Sequence, residues 1–353
     1  MAKKKAAKKK AKKKASVKKK PVKKEAAERP IIVPKKGLTQ KQAYAIAAFI
    51  LVVVAGLVWY AYTAQLEQAP VADPVLSGVP IVPDTALATL TVINDESCSV
   101  CSMNNVPDVM QMVFSEIDVR EIESSTEEAQ LLIASLGVKA LPAYVFSAGI
   151  ADTENFTVSQ QAMRKSGDYY VMDERAIPDI PVRYLESQPT IGEPMLGSEL
   201  AAVVIVEYSN PACGACRLFT TETKPMLLDA YGDSILFVYK SLPLNDLVLN
   251  ATIAGDCAND QGLFWEFNDI MYDRGALAAD QLLAIAEEVG LDAEEYANCT
   301  AGQKHLDEVM GDQAEAMDYA VVATPTLFIN GIKLTGIPGD DTLKEIIDAE
   351  LAE

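Results

Sequence analysis

Six cysteines dominate the chemistry available to this chain: Cys98 and Cys101, Cys213 and Cys216, and the more distant Cys257 and Cys299. The first four form two Cys-x-x-Cys pairs. That spacing admits a metal clip, a structural disulfide or a working redox couple. A four-thiolate zinc site places its pairs about 15 to 20 residues apart, whereas 111 residues lie between Cys101 and Cys213. A disulfide across so short a loop restrains little chain entropy. The spacing therefore favours redox work, and no metal site is expected. Cys257 and Cys299 read as a structural disulfide closing a 43-residue loop, worth about 4 kcal/mol in the chain-entropy model; a redox shuttle or two buried free thiols are the other uses. His305 is the only histidine, set in the polar stretch GQKHLDE. It reads as exposed on a helix and receives no role. No glycine-rich phosphate loop occurs, so no cofactor is indicated beyond the cysteine pairs themselves.

The compartment decides whether such pairs can be oxidised, and it is read at the N-terminus. Residues 1–43 hold 18 Lys and Arg against Glu25 and Glu28, a local charge of +16. The run AYAIAAFILVVVAGLVWYAYTA that follows carries no charge and is long enough to span a bilayer. A transmembrane helix is expected over 44–64, with Trp59, Tyr60 and Tyr62 at its outer interface. The lysines keep the N-terminus cytoplasmic. Cleavage after Ala64 would put Tyr62 where a signal peptidase needs a small residue, so the span reads as an uncleaved anchor. The Lys-rich tail is low-complexity and suits anionic lipid headgroups; nucleic acid is a distant second. Residues 65–84 are Pro-rich and read as a spacer. Residues 65–353 carry 13 basic and 48 acidic residues, a charge of −35, which argues against nucleic acid or anionic lipid as their own ligand.

Beyond the spacer one arrangement occurs twice. The first copy runs TLTVIND (89–95), Cys98-Ser-Val-Cys101, a helical stretch to about residue 116, the strand DVREIE, the helical STEEAQLLIASLG, and VKALPAYVF. The second runs AAVVIVEYS (201–209), Cys213-Gly-Ala-Cys216 opening RLFTTETKPMLLDAYG, the strand SILFVYKSLPL, a helical region over about 246–319, and VVATPTLFINGIKLTG. Strand, CxxC at a helix start, strand, helix, proline-led strand: in this order the chain resembles the thioredoxin superfamily. The resemblance implies that Cys213, at a helix N-terminus where the dipole stabilises a thiolate, is the attacking sulfur and Cys216 the buried resolving one. It implies a cis bond at Thr324-Pro325 beside them, exposing backbone with which a client strand can pair. It also implies a buried acid at Glu207, its proton affinity raised by desolvation and suited to exchange with Cys216. Asn330-Gly331 reads as a two-residue hairpin turn.

About 68 residues separate the second copy's spacing from that of the first: Cys213 to Pro325 is 112 positions, Cys98 to Pro142 is 44. A helical insertion there is similar to the DsbA-like branch over about 190–350. The Gly-Ala dipeptide departs from that branch's histidine-containing motif, which leaves oxidising strength open. In the first copy Val92 stands where Glu207 would be, and no final helix is evident. Its pair, with Pro142, is open to three roles: a relay, a second active site or a docking platform.

The expected fold is therefore α/β, with two tandem thioredoxin-like domains, the second carrying a helical insertion, after one N-terminal transmembrane helix. The segments are a tail (1–43), a span (44–64), a linker (65–84), domain one (85–186) and domain two (187–353). The expected function is that of a membrane-anchored, extracytoplasmic thiol–disulfide oxidoreductase acting on cysteines of exported proteins and recycled by a membrane or soluble redox partner. A reductase of the same compartment and a tethered holdase with vestigial cysteines are the alternatives.

Overall fold

The computed structural model describes residues 88–101, 105–114 and 116–353. The tail 1–43, the candidate span 44–64 and the linker 65–84 lie outside the described residues. Among the described residues no helix is long and apolar enough to cross a membrane.

Strand β1 (Ala88–Asn94) is apolar with two buried threonines, and six of its seven residues are buried, as a strand covered on both faces must be. The chain then turns through both first-copy cysteines before α1 (Val106–Val113) begins. The expected helix start at Cys98 is thus displaced, because Pro107 suits the first turn of a helix, where its missing N–H is not needed. β2 (Ile117–Glu123) pairs with β1 in parallel. Helix α2 (Glu127–Leu136) is capped by the Thr126 hydroxyl, which accepts the Ala129 N–H, and ends on left-handed Gly137. β3 (Ala140–Leu141) and β4 (Ala143–Ser147) flank the cis bond Leu141–Pro142. β4 pairs with β1, and the hairpin β5 (Met163–Ser166) and β6 (Tyr169–Met172) completes a sheet of order β2-β1-β4-β6-β5.

β3 leaves that sheet. It pairs with β7 (Val182–Tyr184), which pairs in turn with the second sheet. β7 lies within the stretch read as domain one, so strand pairing crosses the boundary expected at 186–187, and the described residues fall in a single compact unit, Asp73–Glu353. The second sheet also contains β8 (Met195–Gly197), β9 (Val203–Ser209), β10 (Ile235–Ser241), β11 (Thr326–Ile329) and β12 (Ile332–Thr335), in the order β3-β7-β12-β11-β9-β10-β8. β9 and β10 are parallel, and the β11–β12 hairpin is antiparallel to β9. At its turn Asn330 and Gly331 both have positive φ, 45° and 85°, as a type I′ turn requires. A Cβ on Gly331 would also lie 3.0 Å from the Tyr184 carbonyl.

After β9 come α3 (Gly214–Leu218), a π-helical turn Phe219–Thr223, and α4 (Lys224–Tyr231). Pro225 has no N–H to close a regular turn there, which accounts for the widened one. The insertion between β10 and β11 is five helices: α5 (Asp246–Asn259), α6 (Phe264–Arg274), α7 (Ala279–Val289), α8 (Ala293–Gly302) and α9 (Leu306–Asp318). Within the region read as helical over about 246–319, the chain is broken where Gly262 (φ 73°) and Gln303 (φ 48°) turn left-handed. The C-terminal α10 (Asp340–Ala352) packs Leu343, Ile346 and Ile347 against Phe219, Ile205 and Phe237. On the other face Ala316 of α9 packs with Val206, Val238 and Phe328. Each such fully buried large apolar side chain contributes about 1.5–3 kcal/mol.

Candidate active site

β9 is buried along almost its whole length and carries Glu207 between Tyr239 of β10 and Leu327 of β11. Glu207 is 2% exposed and its Oε1 has no hydrogen-bond partner. Burial raises its carboxyl to about 7, although the Ser209 side chain and the Lys224 charge favour the ionised form. Beyond Ser209 the strand ends on buried Asn210, whose Oδ1 accepts the Ala212 N–H at 2.8 Å and whose Nδ2 donates to the Leu242 carbonyl at 3.1 Å. The Asn210 carbonyl accepts the Cys213 N–H at 2.9 Å. This turn makes Cys213 the N-cap of α3.

Cys213 is partly exposed and Cys216 is fully buried, and both are free thiols. The Cys213 thiol donates to the Thr324 carbonyl at 3.2 Å, and Thr324–Pro325 is cis. Burial opposes ionisation of Cys213. The N–H groups of Cys216 and Ala215 and the side chains of Thr324 and Cys216 outweigh it, holding the thiol below its ordinary value. Cys216 behaves oppositely: burial, reinforced by the nearby Glu207 charge, pushes it up to about 12. One turn of helix thus separates a sulfur suited to being a thiolate from one suited to staying protonated.

The insertion closes the floor of the site. The Tyr272 hydroxyl of α6 lies 2.8 Å from Ser209 Oγ and 3.1 Å from the Tyr239 hydroxyl, all buried. Lys224, 2% exposed, places its Nζ 2.6 Å from Asp269 Oδ1 and 4.5 Å from the centre of the Trp265 ring. Ser209, Asn210, Lys224 and Tyr272 were not legible as site residues in the sequence. A polar Ser-Asn pair ending an apolar strand just before the motif was a usable signal for the first two. Tyr272 and Lys224 reach the site only through tertiary packing.

The structure brings together Glu207, Cys213, Cys216, Thr324 and Pro325. Cys98, Cys101 and Pro142 do not join them. Cys98 and Cys101 form a disulfide, each 1% exposed, in a turn that precedes a helix rather than opening one. With Val100 they belong to the cluster built around α10. Arg183 of β7 holds this turn down: its guanidinium makes ion pairs with Asp95 at 3.0 Å and with Glu350 of α10 at 2.8 Å, and lies 3.4 Å from the Ser97 carbonyl. β7 also pairs with Leu141, immediately before cis Pro142. The backbone face on which the proline loop of the first copy would receive a client strand is therefore occupied by the chain itself. Cys257 and Cys299 are joined by a disulfide between α5 and α8. His305 is half-buried rather than exposed, bonded to Asp260 at 2.9 Å and Glu308 at 2.6 Å.

Residues 189–349 match the family model described as Thioredoxin. The chain is 30% identical over 154 residues to the Na(+)/H(+) antiporter NhaA of Herminiimonas arsenicoxydans, covering 43% of this chain and 25% of that protein. It is 27% identical over 170 residues to a Rickettsia felis protein provisionally named a protein-disulfide oxidoreductase, covering 45% of this chain and 60% of the other. This chain thus spans a quarter of the one relative and three fifths of the other. Oxidised BdbD of Bacillus subtilis is similar in structure, with 22% identity, a TM-score of 0.45, and coverage of 47% of this chain and 97% of that one. With a CxxC at a helix start, a cis-proline strand beside it and helices inserted between β10 and β11, residues 189–349 form a thioredoxin-like domain.

Proposed function

We propose that the chain is a membrane-anchored thiol–disulfide oxidoreductase, acting outside the cytoplasmic membrane through Cys213 and Cys216 and forming disulfides in exported proteins. The observation that carries this reading is the split between the two sulfurs: Cys213 is accessible and favoured as a thiolate, while Cys216 is sealed and favoured as a thiol. In the oxidised enzyme a client thiolate attacks Cys213 Sγ and the Cys213–Cys216 bond breaks. Cys216 leaves as a poor leaving group and takes a proton, for which the Glu207 carboxyl, near 7 and close enough for its charge to act on Cys216, is a suited donor. A second client thiolate then attacks the client's own sulfur in the mixed disulfide, and Cys213 departs as a stabilised thiolate. Two electrons pass from client to enzyme, and a membrane or soluble redox partner accepts them to restore the disulfide. A stabilised Cys213 thiolate favours the reduced enzyme, which supports the oxidase direction over the reductase.

The first pair takes no part in this reading. Attack on a disulfide needs a thiolate in contact with a sulfur, and both of its cysteines are buried, in the apolar cluster that includes Leu343, Ile346 and Ile347 of α10. It serves as a staple of a docking platform rather than as a relay. The anchor at 44–64 and the Lys-rich tail against anionic lipid complete the proposal from the sequence.

The test equilibrates the full chain with glutathione couples while following Cys213–Cys216, and assays oxidation of a reduced, unfolded client. The oxidase reading expects a pair more oxidising than client structural disulfides, which lie below about −300 mV, and loss of client oxidation in Cys213→Ala. A pair poised below that value makes the chain a reductase; client oxidation that survives Cys213→Ala removes the assignment altogether. In sealed membranes, protease added on the outer side should cut residues 65–353 and spare the tail; the reverse pattern overturns the topology.

A further inference from the structure

We propose that Cys257, Cys299, His305 and Asp260 become a site for one zinc-like divalent ion when the disulfide joining the first two is reduced. Three helices bring these groups to one point. Cys257 is in the last turn of α5, Asp260 is the C-cap of that helix, Cys299 is on α8, and His305 is the residue immediately before α9. Left-handed Gln303 folds the chain back so that His305 returns toward the sulfurs. Donor atoms of Cys257, Cys299 and His305 all lie within 4.8 Å of one another. Asp260 Oδ2 adds a fourth donor, 3.6 Å from Cys299 Sγ and 2.9 Å from His305 Nε2.

These separations are close to what a tetrahedral ion needs. With metal–sulfur bonds of about 2.3 Å and metal–nitrogen or metal–oxygen bonds of about 2.0–2.1 Å, donors sit roughly 3.3–3.8 Å apart. The Cα atoms of Cys257 and Cys299 are 5.9 Å apart, so rotation of the freed side chains can open the sulfurs to that distance without moving either helix. Two thiolates with an imidazole suit zinc or cobalt and not the hard cations, which require six or more oxygen ligands.

The surroundings of the cluster support the same reading. His305 Nδ1 lies 2.6 Å from Glu308 Oε2, the carboxylate partner that fixes the ring of a metal-bound histidine and leaves Nε2 to the ion. The side chains of His305 and Asp260 are 14% and 23% exposed, leaving an entry path on that side. The Lys304 ammonium, 2.8 Å from Asp260 Oδ2, now balances that carboxylate; its side chain is 59% exposed and can move into solvent when an ion arrives.

The steps balance. A dithiol reduces the disulfide to two thiols by giving two electrons and two protons and closing to its own disulfide; a phosphine gives the two electrons while water supplies the two protons and the oxygen of the phosphine oxide. The divalent ion then displaces both thiol protons, and two thiolates, one carboxylate and a neutral imidazole hold it with a net charge of −1. The link between α5 and α8 thereby persists in both redox states. The proposal is independent of the direction of catalysis at Cys213.

The test titrates the phosphine-reduced full chain with Co2+, reading the visible bands of a tetrahedral thiolate site, and then displaces the cobalt with Zn2+. One equivalent should bind the reduced chain and none the oxidised one. The bands should survive in the Cys213→Ser/Cys216→Ser variant, whose thiols are the competing pair, and vanish in Cys257→Ser/Cys299→Ser. His305→Gln changes a partly exposed side chain and leaves the disulfide able to form, so it tests the site even where the double serine variant folds poorly; affinity there should fall at least about tenfold. Binding that disappears with Cys213 and Cys216, or that is unchanged in His305→Gln, overturns the proposal, as does a reduced chain that takes up no cobalt.

Discussion

Replacing Glu207 by Gln removes the buried carboxyl beneath the Cys213–Cys216 pair, and its consequence follows from the raised proton affinity. The carboxyl moves from 4.5 to about 7 on folding because burial disfavours its charge. At about 1.4 kcal/mol per pH unit this is on the order of 3 kcal/mol. The folded-state value lies above the unfolded one, so the unfolded chain ionises first as pH rises. Stability owed to the neutral carboxyl is complete below about pH 4.5 and is lost progressively as pH rises through about 7. The Gln side chain cannot ionise, and its own packing cost is the same at every pH. Urea unfolding of the reduced full chain, followed by Trp265 fluorescence, should therefore give a pH-dependent difference. Between roughly pH 4 and pH 8 the wild type should lose about 3 kcal/mol more than Glu207→Gln. In the same window the variant should lose the rise with pH in the rate at which Cys216 resolves a mixed disulfide. Parallel stability curves for the two proteins would refute the reasoning, because they would mean that Glu207 is either ionised in the folded state at no cost or reached by water.

Three further outcomes follow from the geometry. Cys216→Ala should accumulate mixed disulfides with client proteins, whereas Cys213→Ala should trap few, and equal trapping would reverse the roles of the two sulfurs. Replacing both Cys257 and Cys299 by Ser should destabilise the oxidised chain by up to about 4 kcal/mol while the reaction of Cys213 with a small disulfide persists; loss of that reaction in a variant that remains folded would place the second disulfide on the electron path. Brief treatment of the native chain with a hydrophilic dithiol and an alkylating agent should label Cys213 and leave Cys98 and Cys101 unlabelled until the chain is unfolded, since both are 1% exposed. Labelling of Cys98 in the native chain would reopen a relay.

The second copy was legible because its signals are local. The apolar run 201–209, a CxxC at the following helix start and Asn330-Gly331 at a hairpin each depend on a few neighbouring residues, and the structure puts Cys213 at an N-cap and Asn330 and Gly331 at positive φ. The breaks at Gly262 and Gln303 were not legible, because residues on either side keep helical periodicity and only the packing of α5 to α9 requires the turns.

By itself, the sequence determined that this chain carries a thioredoxin-like arrangement around Cys213, Cys216, Glu207 and Pro325, with a helical insertion before the proline. Residue type and spacing suffice there, since dipole, turn and strand preferences act over short range. Only the tertiary structure decided the state of the first copy. Cys98-Ser-Val-Cys101 carries the same spacing as the second motif, yet its closure depends on Leu141 pairing with Arg183 and on Arg183 meeting Glu350, a contact 167 residues apart in the chain. It likewise decided that Tyr272 would meet Ser209 from 63 residues away and that Cys257, Cys299 and His305 would share one point, with Asp260 beside Cys299 and His305. Such contacts form when apolar faces find their partners, and the reach of a cysteine is set by what comes to cover it.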